Sequence, residues 1–215
     1  MSDPFVRLTS IAAPLPLDNV DTDLIWPAGR GVSLRRGAQA ANAFATLRYD
    51  AGGALRPDFI LNRSPWDQAR ILVAGRNFGC GSSREMAVWS LVEWGLRCVI
   101  APSFGDIFYN NATLNGLLPV VLPEPVVRQL LDAMVDPAHC ELSVDLMACR
   151  VTGPGLDEAF QIDAHRRECL LRGLDETAFT LDRMPAVAAF GVRYGHAYPW
   201  TQRATGSSGA LDAEG

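Results

Sequence analysis

The sequence predicts an α/β fold: a mixed sheet with a central βαβ unit beside an antiparallel meander. Three observations predict it. Two short, wholly apolar runs, Ile71–Ala74 and Cys98–Ala101, flank a helix-length segment, and such runs read as strands covered on both faces. Between residues 141 and 162, three strand candidates follow one another with Gly153-Pro154-Gly155 as a turn and no helix between them, which is the pattern of a meander. No polar linker divides the apolar segments, so one domain is expected over residues 1–203. From Ala204 the chain runs through Thr-Gly-Ser-Ser-Gly to an acidic end, which predicts a disordered tail over 204–215.

Taken in order, residues 5–13 predict an edge strand that Pro14 and Pro16 interrupt. Asp18 to Asp23 is a polar turn before Leu24-Ile25-Trp26-Pro27. Residues 29–69 are rich in Gly, Ala, Arg and Asn, with a short helix expected over 37–47 and a loop over 51–57. A long irregular segment inside a domain is more often functional than accidental. Strand 71–74, a glycine-rich turn, helix 84–94 ending at Gly95 and strand 98–101 make the βαβ unit, whose crossover is right-handed. A helix over 104–114, a strand over 117–122 despite Pro119, and a helix from Pro125 to about Met134 follow. The meander strands are expected at 141–146, 149–152 and 159–162, then a helix over 165–171 stopped by Gly173.

Composition bounds the function. Of 215 residues, 48% are hydrophobic and 20% charged, the balance of a folded globular protein. The formal net charge is −5, which argues against nucleic acid or an anionic membrane as the main partner. No apolar run has the length of a membrane span, and Met1-Ser2-Asp3-Pro4 does not open a signal peptide. A cytoplasmic protein is expected. The five cysteines, Cys80, Cys98, Cys140, Cys149 and Cys169, form no Cys-x-x-Cys pair. They predict reduced thiols, with neither a zinc site nor a self-contained iron–sulfur cluster.

The chemistry concentrates in Asn77-Phe78-Gly79-Cys80-Gly81-Ser82-Ser83-Arg84-Glu85. A glycine-rich turn between strand and helix presents backbone N–H groups and two hydroxyls, a geometry that suits an anion. Arg84 adds a planar fork for carboxylate or phosphate. The turn lacks the third glycine of a dinucleotide fingerprint, the Gly-Lys-Ser/Thr of a P-loop and the Gly-x-Ser-x-Gly of an esterase elbow. Two readings stand: a tight turn in which Ser82 or Ser83 caps the helix with Glu85 in support, or a site. Asn77, Ser83 and Arg84, packed into one turn, favour the site. Oriented N–H dipoles can stabilise a serine alkoxide, which could take a proton from a carbon beside a carboxylate held by Arg84.

Elsewhere the residues are less telling. Asp21-Thr22-Asp23 lacks the glycine and distal glutamate of a calcium loop, so a turn and cap role is expected rather than a metal. Arg30, Arg35, Arg36 and Arg48 are singly surface charges but together could line a carboxylate site. His139, His165 and His196 sit in no ligand spacing. Cys80 favours packing, although a thiol in that turn would lie near any active site.

The nine residues from Asn77 to Glu85 resemble the signature of the aconitase superfamily's swivelling domain and, more narrowly, that of the small subunits of 3-isopropylmalate dehydratase (isopropylmalate isomerase). Asn19-Val20-Asp21-Thr22-Asp23-Leu24-Ile25-Trp26-Pro27-Ala28, Phe44 to Asp50, Val99 to Phe108, Asn115 to Val120 and Leu170 to Asp175 are similar to further segments of that family. The resemblance covers the chain except its tail. It implies a swivelling β/β/α domain that closes over a large subunit carrying a [4Fe–4S] cluster, with no cofactor on this chain. The implied reaction is dehydration and rehydration of a small dicarboxylate, 2-isopropylmalate to 3-isopropylmalate through isopropylmaleate, in leucine biosynthesis. It implies Ser82 as the catalytic base, with Gly81, Ser83, Arg84 and Arg48 binding substrate. Asp21, Thr22, Asp23, Asn77 and Cys80 would lie at the cleft or interface, and the loop between about 29 and 50 would hold the selective contacts. Met86 and Val88 stand where the family usually has His and Pro. A sister hydro-lyase acting on dimethylmalate, methylmalate or homoaconitate, or a non-catalytic paralogous subunit, are the alternatives this departure leaves open.

Overall fold

The computed structural model describes residues 3–27 and 36–201. Arg30, Arg35 and the tail expected from Ala204 lie outside the described residues. The chain divides into two compact units, Met1–Glu176 and Thr177–Gly215.

The first unit holds a seven-stranded mixed sheet. Its strands are β1 (Arg7–Leu15), β2 (Ile71–Ala74), β3 (Cys98–Ala101), β4 (Leu118–Val121), β5 (Glu141–Asp145), β6 (Arg150–Gly153) and β7 (Leu156–Ala159), in the spatial order β4-β3-β2-β1-β5-β6-β7. β1 to β4 are parallel, and β5 to β7 form the antiparallel meander on the other side of β1. All residues of β2 and β3 are buried, which is why these strands are unbroken apolar runs.

Two strands differ from expectation. β1 is not an edge: it is the seam between the parallel and antiparallel halves. Its neighbours are staggered, for Arg7 to Ile11 pair with β5 and Ala12 to Leu15 pair with β2. Each half of β1 therefore has one ladder, and Pro14, opposite Val73, can occupy the half that β5 does not reach. Pro119 is tolerated more simply, since β4 is an edge strand. β7 begins three residues before the expected 159–162. Gly153 pairs with Leu156 across a Pro154-Gly155 turn, so the hairpin register follows the turn rather than the apolar Phe160 and Ile162.

The helices of this unit are α1 (Thr22–Ile25), α2 (Ala45–Arg48), α3 (Glu85–Trp94), α4 (Asp106–Leu114), α5 (Glu124–Ala133) and α6 (Ala164–Arg172). α5 packs on β2 and β3, while α4 packs on β4, α3 and α6. The expected helix over 37–47 is only a 3-10 turn at Ala40–Asn42 and the single turn of α2. Between them Phe44 adopts φ +51° with its ring buried beside Phe59 and Trp94. Burying that ring breaks the helix that propensity alone would have extended. Gly95 and Gly173 close α3 and α6 in left-handed conformation. The second unit contains most of α7 (Glu176–Asp182), then α8 (Met184–Ala197) and a 3-10 turn at Pro199–Thr201, none of which the sequence pattern suggested. Among the described residues no helix is long and apolar enough to cross a membrane.

Candidate active site

The carboxyl ends of β1, β2 and β3 release three loops that knit together, the usual place for a ligand site on parallel strands. The loop after β2 is held from both sides. Gly79 donates its N–H to Val20 O (2.7 Å), Thr22 donates to Cys80 O (2.9 Å), Phe78 donates to Ser103 O (3.0 Å) and Gly105 donates to Phe78 O (2.9 Å). Asp21 bridges Cys80 and Phe78 bridges Phe104 as single parallel pairs. The turn is thus a short extension of the sheet, stitched to its two neighbours.

Side chains complete the stitching. Asn77 has φ +59°, a region asparagine enters more readily than most residues. Its N–H donates to Ser103 Oγ (2.9 Å) and its Nδ2 to Asn19 Oδ1 (2.8 Å). Arg76 donates its N–H to Asp18 Oδ1 (2.8 Å) and its guanidinium to Oδ2 of the same carboxylate. Those bonds hold the Asp18 carboxyl below its ordinary range, the backbone N–H bond being the larger cause and the guanidinium the next. Asn19 and Ser103 were not among the expected site residues. Each follows a strand that ends at this side of the sheet, and each falls in a segment similar to the family, signals that could have marked them.

Beneath the turn lies an aromatic floor. Phe78 packs against Phe108 at 5.3 Å and Phe104 at 6.2 Å between ring centroids. Gly79 passes so close above it that a Cβ there would lie 2.1 Å from Phe108 Cγ, and its φ is +72°. Gly81, at φ +92°, has room for a methyl group but a backbone that L side chains rarely adopt.

Above the floor the chemistry is exposed. Ser82 and Ser83 both face solvent. The residue before α3 is Arg84, in extended conformation and without a side-chain cap. The serines therefore do not cap the helix. Among the described residues neither hydroxyl has a hydrogen-bond partner. Arg84 is half-buried and forms an ion pair with Asp23 through one guanidinium nitrogen. Asp21 caps α1 by accepting from Leu24 N–H (2.7 Å), the cap role expected of it. Cys80 is partly buried. Burial and, secondarily, the Asp21 carboxylate push its thiol above the ordinary range.

Ser82, Ser83, Arg84, Gly81, Cys80, Asn77, Asp21, Thr22 and Asp23 thus come together. Arg48 makes no hydrogen bond or ion pair with them among the described residues. It ends α2, stacks over Trp94 at 4.4 Å and donates to Ala40 O (3.2 Å). Trp94 is the last residue of α3, a ten-residue helix that starts just after the turn. The side of α3 toward residues 36–39 is also engaged: Glu93 accepts from Gly37 N–H (2.7 Å) and Gln39 N–H (2.5 Å). Met86 is partly buried and packs against the core, and Val88 is fully buried. Among the described residues no three His, Cys, Asp or Glu side chains gather as metal ligands. The five thiols are all free and three of them are buried. This donor set does not fit an iron–sulfur cluster.

The aconitase C-terminal domain model matches residues 2–125, which includes all three loops. The chain is 49% identical to the 3-isopropylmalate dehydratase small subunit of Jannaschia sp., over 92% of this chain and 99% of that protein. It is 48% identical to the small subunit of the same name from Rhodospirillum centenum, over 91% of this chain and 97% of that protein. The chain belongs to the family of 3-isopropylmalate dehydratase small subunits. A solved 3-isopropylmalate dehydratase structure from Methanocaldococcus jannaschii superposes with a TM-score of 0.64 at 25% identity, covering 85% of this chain and 98% of that one. The family's mixed α/β fold, expected from the resemblance, is the fold observed.

Proposed function

We propose that this chain is the small, swivelling subunit of a cytoplasmic 3-isopropylmalate dehydratase, a hydro-lyase of leucine biosynthesis. It would interconvert 2-isopropylmalate and 3-isopropylmalate through isopropylmaleate and act only with a large subunit. The observation that carries the reading is the turn itself. Two exposed serine hydroxyls, not spent on capping, stand beside Arg84 at the start of α3, in a chain that the small subunits match along nearly their whole length.

Dehydration requires a base at a carbon beside a carboxylate. The proton leaves that carbon, its electron pair becomes the double bond, and the hydroxyl leaves the neighbouring carbon with a proton as water. Ser82 is assigned the first step. Its hydroxyl is solvent-facing, and the N–H dipoles of the turn and of α3 favour the negative charge it must carry as an alkoxide. Ser83, Gly81 and Arg84 are assigned to a substrate carboxylate. Arg84 uses one nitrogen on Asp23 and keeps the rest of its fork for a ligand. A [4Fe–4S] cluster, expected in the large subunit, would supply Lewis acidity toward the hydroxyl.

The test is co-expression with a large subunit and measurement of isopropylmaleate formation by its ultraviolet absorbance. The small subunit alone is expected to show no turnover. Ser82→Ala is expected to lower kcat by at least about 100-fold without loss of assembly. Full turnover in that variant would remove Ser82 as the base. Turnover across alkyl chain lengths checks the substrate against the dimethylmalate, methylmalate and homoaconitate alternatives.

A further inference from the structure

The catalytic turn hangs on one residue of α1. Thr22 donates its backbone N–H to the carbonyl of Cys80 (2.9 Å) and its hydroxyl to the carbonyl of Ser82 (3.1 Å). These carbonyls lie on either side of Gly81, the residue at φ +92°. Thr22 is itself fixed. It is 2% exposed, its own carbonyl accepts from Trp26 N–H (3.0 Å), Asp21 caps the helix it starts, and α1 packs on α3.

A trans peptide is planar, with its C=O and N–H pointing in opposite directions. Two carbonyls turned toward Thr22 therefore turn the N–H groups of Gly81 and Ser83 away from it. Among the described residues neither N–H has an acceptor. Thr22 thus orients the peptide groups that bracket Gly81 and Ser82, while the Ser82 side chain remains exposed. A threonine kept for packing would need only its shape; this one spends its hydroxyl on the residue that carries the reactive oxygen.

We propose that Thr22 is a positioning residue for Ser82, clamping the backbone on both sides of Gly81 so that the serine oxygen is aimed at the substrate. The proposal rests on the assignment of Ser82 as the base. Thr22 touches no reacting atom. Its effect is on aim, and misplacement by a fraction of an ångström to one ångström costs up to about 100-fold in rate.

The experiment uses the assembled two-subunit enzyme. Thr22→Val keeps the shape and removes the hydroxyl; Thr22→Ser keeps the hydroxyl. Thr22→Val is expected to lower kcat by about 10- to 100-fold with KM changed less than about three-fold. Thr22→Ser is expected to stay within a few-fold of the parent. On the residual turnover of Ser82→Ala, adding Thr22→Val is expected to cost nothing more, because the residue acts through the serine. Unchanged kcat in Thr22→Val, or an equal loss in the Ser82→Ala background, would overturn the proposal while leaving Ser82 in its role. Full turnover in Ser82→Ala alone would instead overturn the role of Ser82, and this proposal with it. Assembly and Tm are measured for each variant. If Thr22→Val does not assemble, Thr22→Ala, which adds no bulk, carries the same expectations; failure of both to assemble would make Thr22 structural and end the proposal.

Discussion

Gly79 is the residue where this turn tolerates least. Its positive φ and the Phe108 ring, 2.1 Å from where a Cβ would stand, act together against any side chain. Gly79→Ala is expected to destabilise the chain by about 2–4 kcal/mol, read by urea unfolding. Phe108→Leu in the same chain should recover part of that loss, since it relieves the contact but not the backbone strain. Cys80, one residue on, makes a chemical prediction. Burial, and after it the Asp21 carboxylate, raise its thiol above the ordinary range. A raised pKa keeps the protonated form at neutral pH, and the thiolate is the nucleophile. Alkylation by iodoacetamide at pH 7, followed by mass spectrometry, should therefore be slower than for a free thiol and accelerate only at alkaline pH. Asp21→Asn should speed it.

At the scale of elements, the start of α3 separates two roles that a sequence cannot separate. A serine before a helix reads equally well as a cap or as a reactive group. Here Arg84 takes the position before the helix and no side chain caps it, because the carbonyls on both sides of Gly81 are held by Thr22. Removing a true cap costs about 1 kcal/mol, which is about 2–4 °C in Tm for a chain of this size. Ser82→Ala and Ser83→Ala are each expected to shift Tm by clearly less, measured by circular dichroism, even as Ser82→Ala loses turnover. The same scale explains β1. Two staggered ladders let a strand with Pro14 in it sit at the middle of the sheet, where a proline rule applied to the sequence alone places an edge.

For the whole molecule, every strand among the described residues lies within Met1–Glu176. A chain ending at Glu176 is expected to keep a cooperative thermal transition and the circular dichroism of a mixed sheet. A broad, non-cooperative melt would show that the second unit is needed for the first to fold. The βαβ unit, the meander and the glycine turn were legible in the amino-acid order because each rests on local pattern. Apolar runs of four mark strands covered on both faces, Gly-Pro-Gly marks a hairpin, and a glycine-rich turn between strand and helix marks an anion-binding geometry. The family resemblance implied the roles we propose for Ser82 and Arg84. What stayed hidden depends on residues far apart in the chain. Thr22 meets Ser82 across sixty positions. Asn19 and Ser103 meet Asn77 because β1, β2 and β3 end side by side. Arg48 stacks over Trp94, a contact forty-six positions away along the chain. Local pattern states which chemistry is present; only the packing of parallel strand ends decides which groups share a site, because that proximity comes from the burial of distant apolar residues and has no signature in sequence spacing.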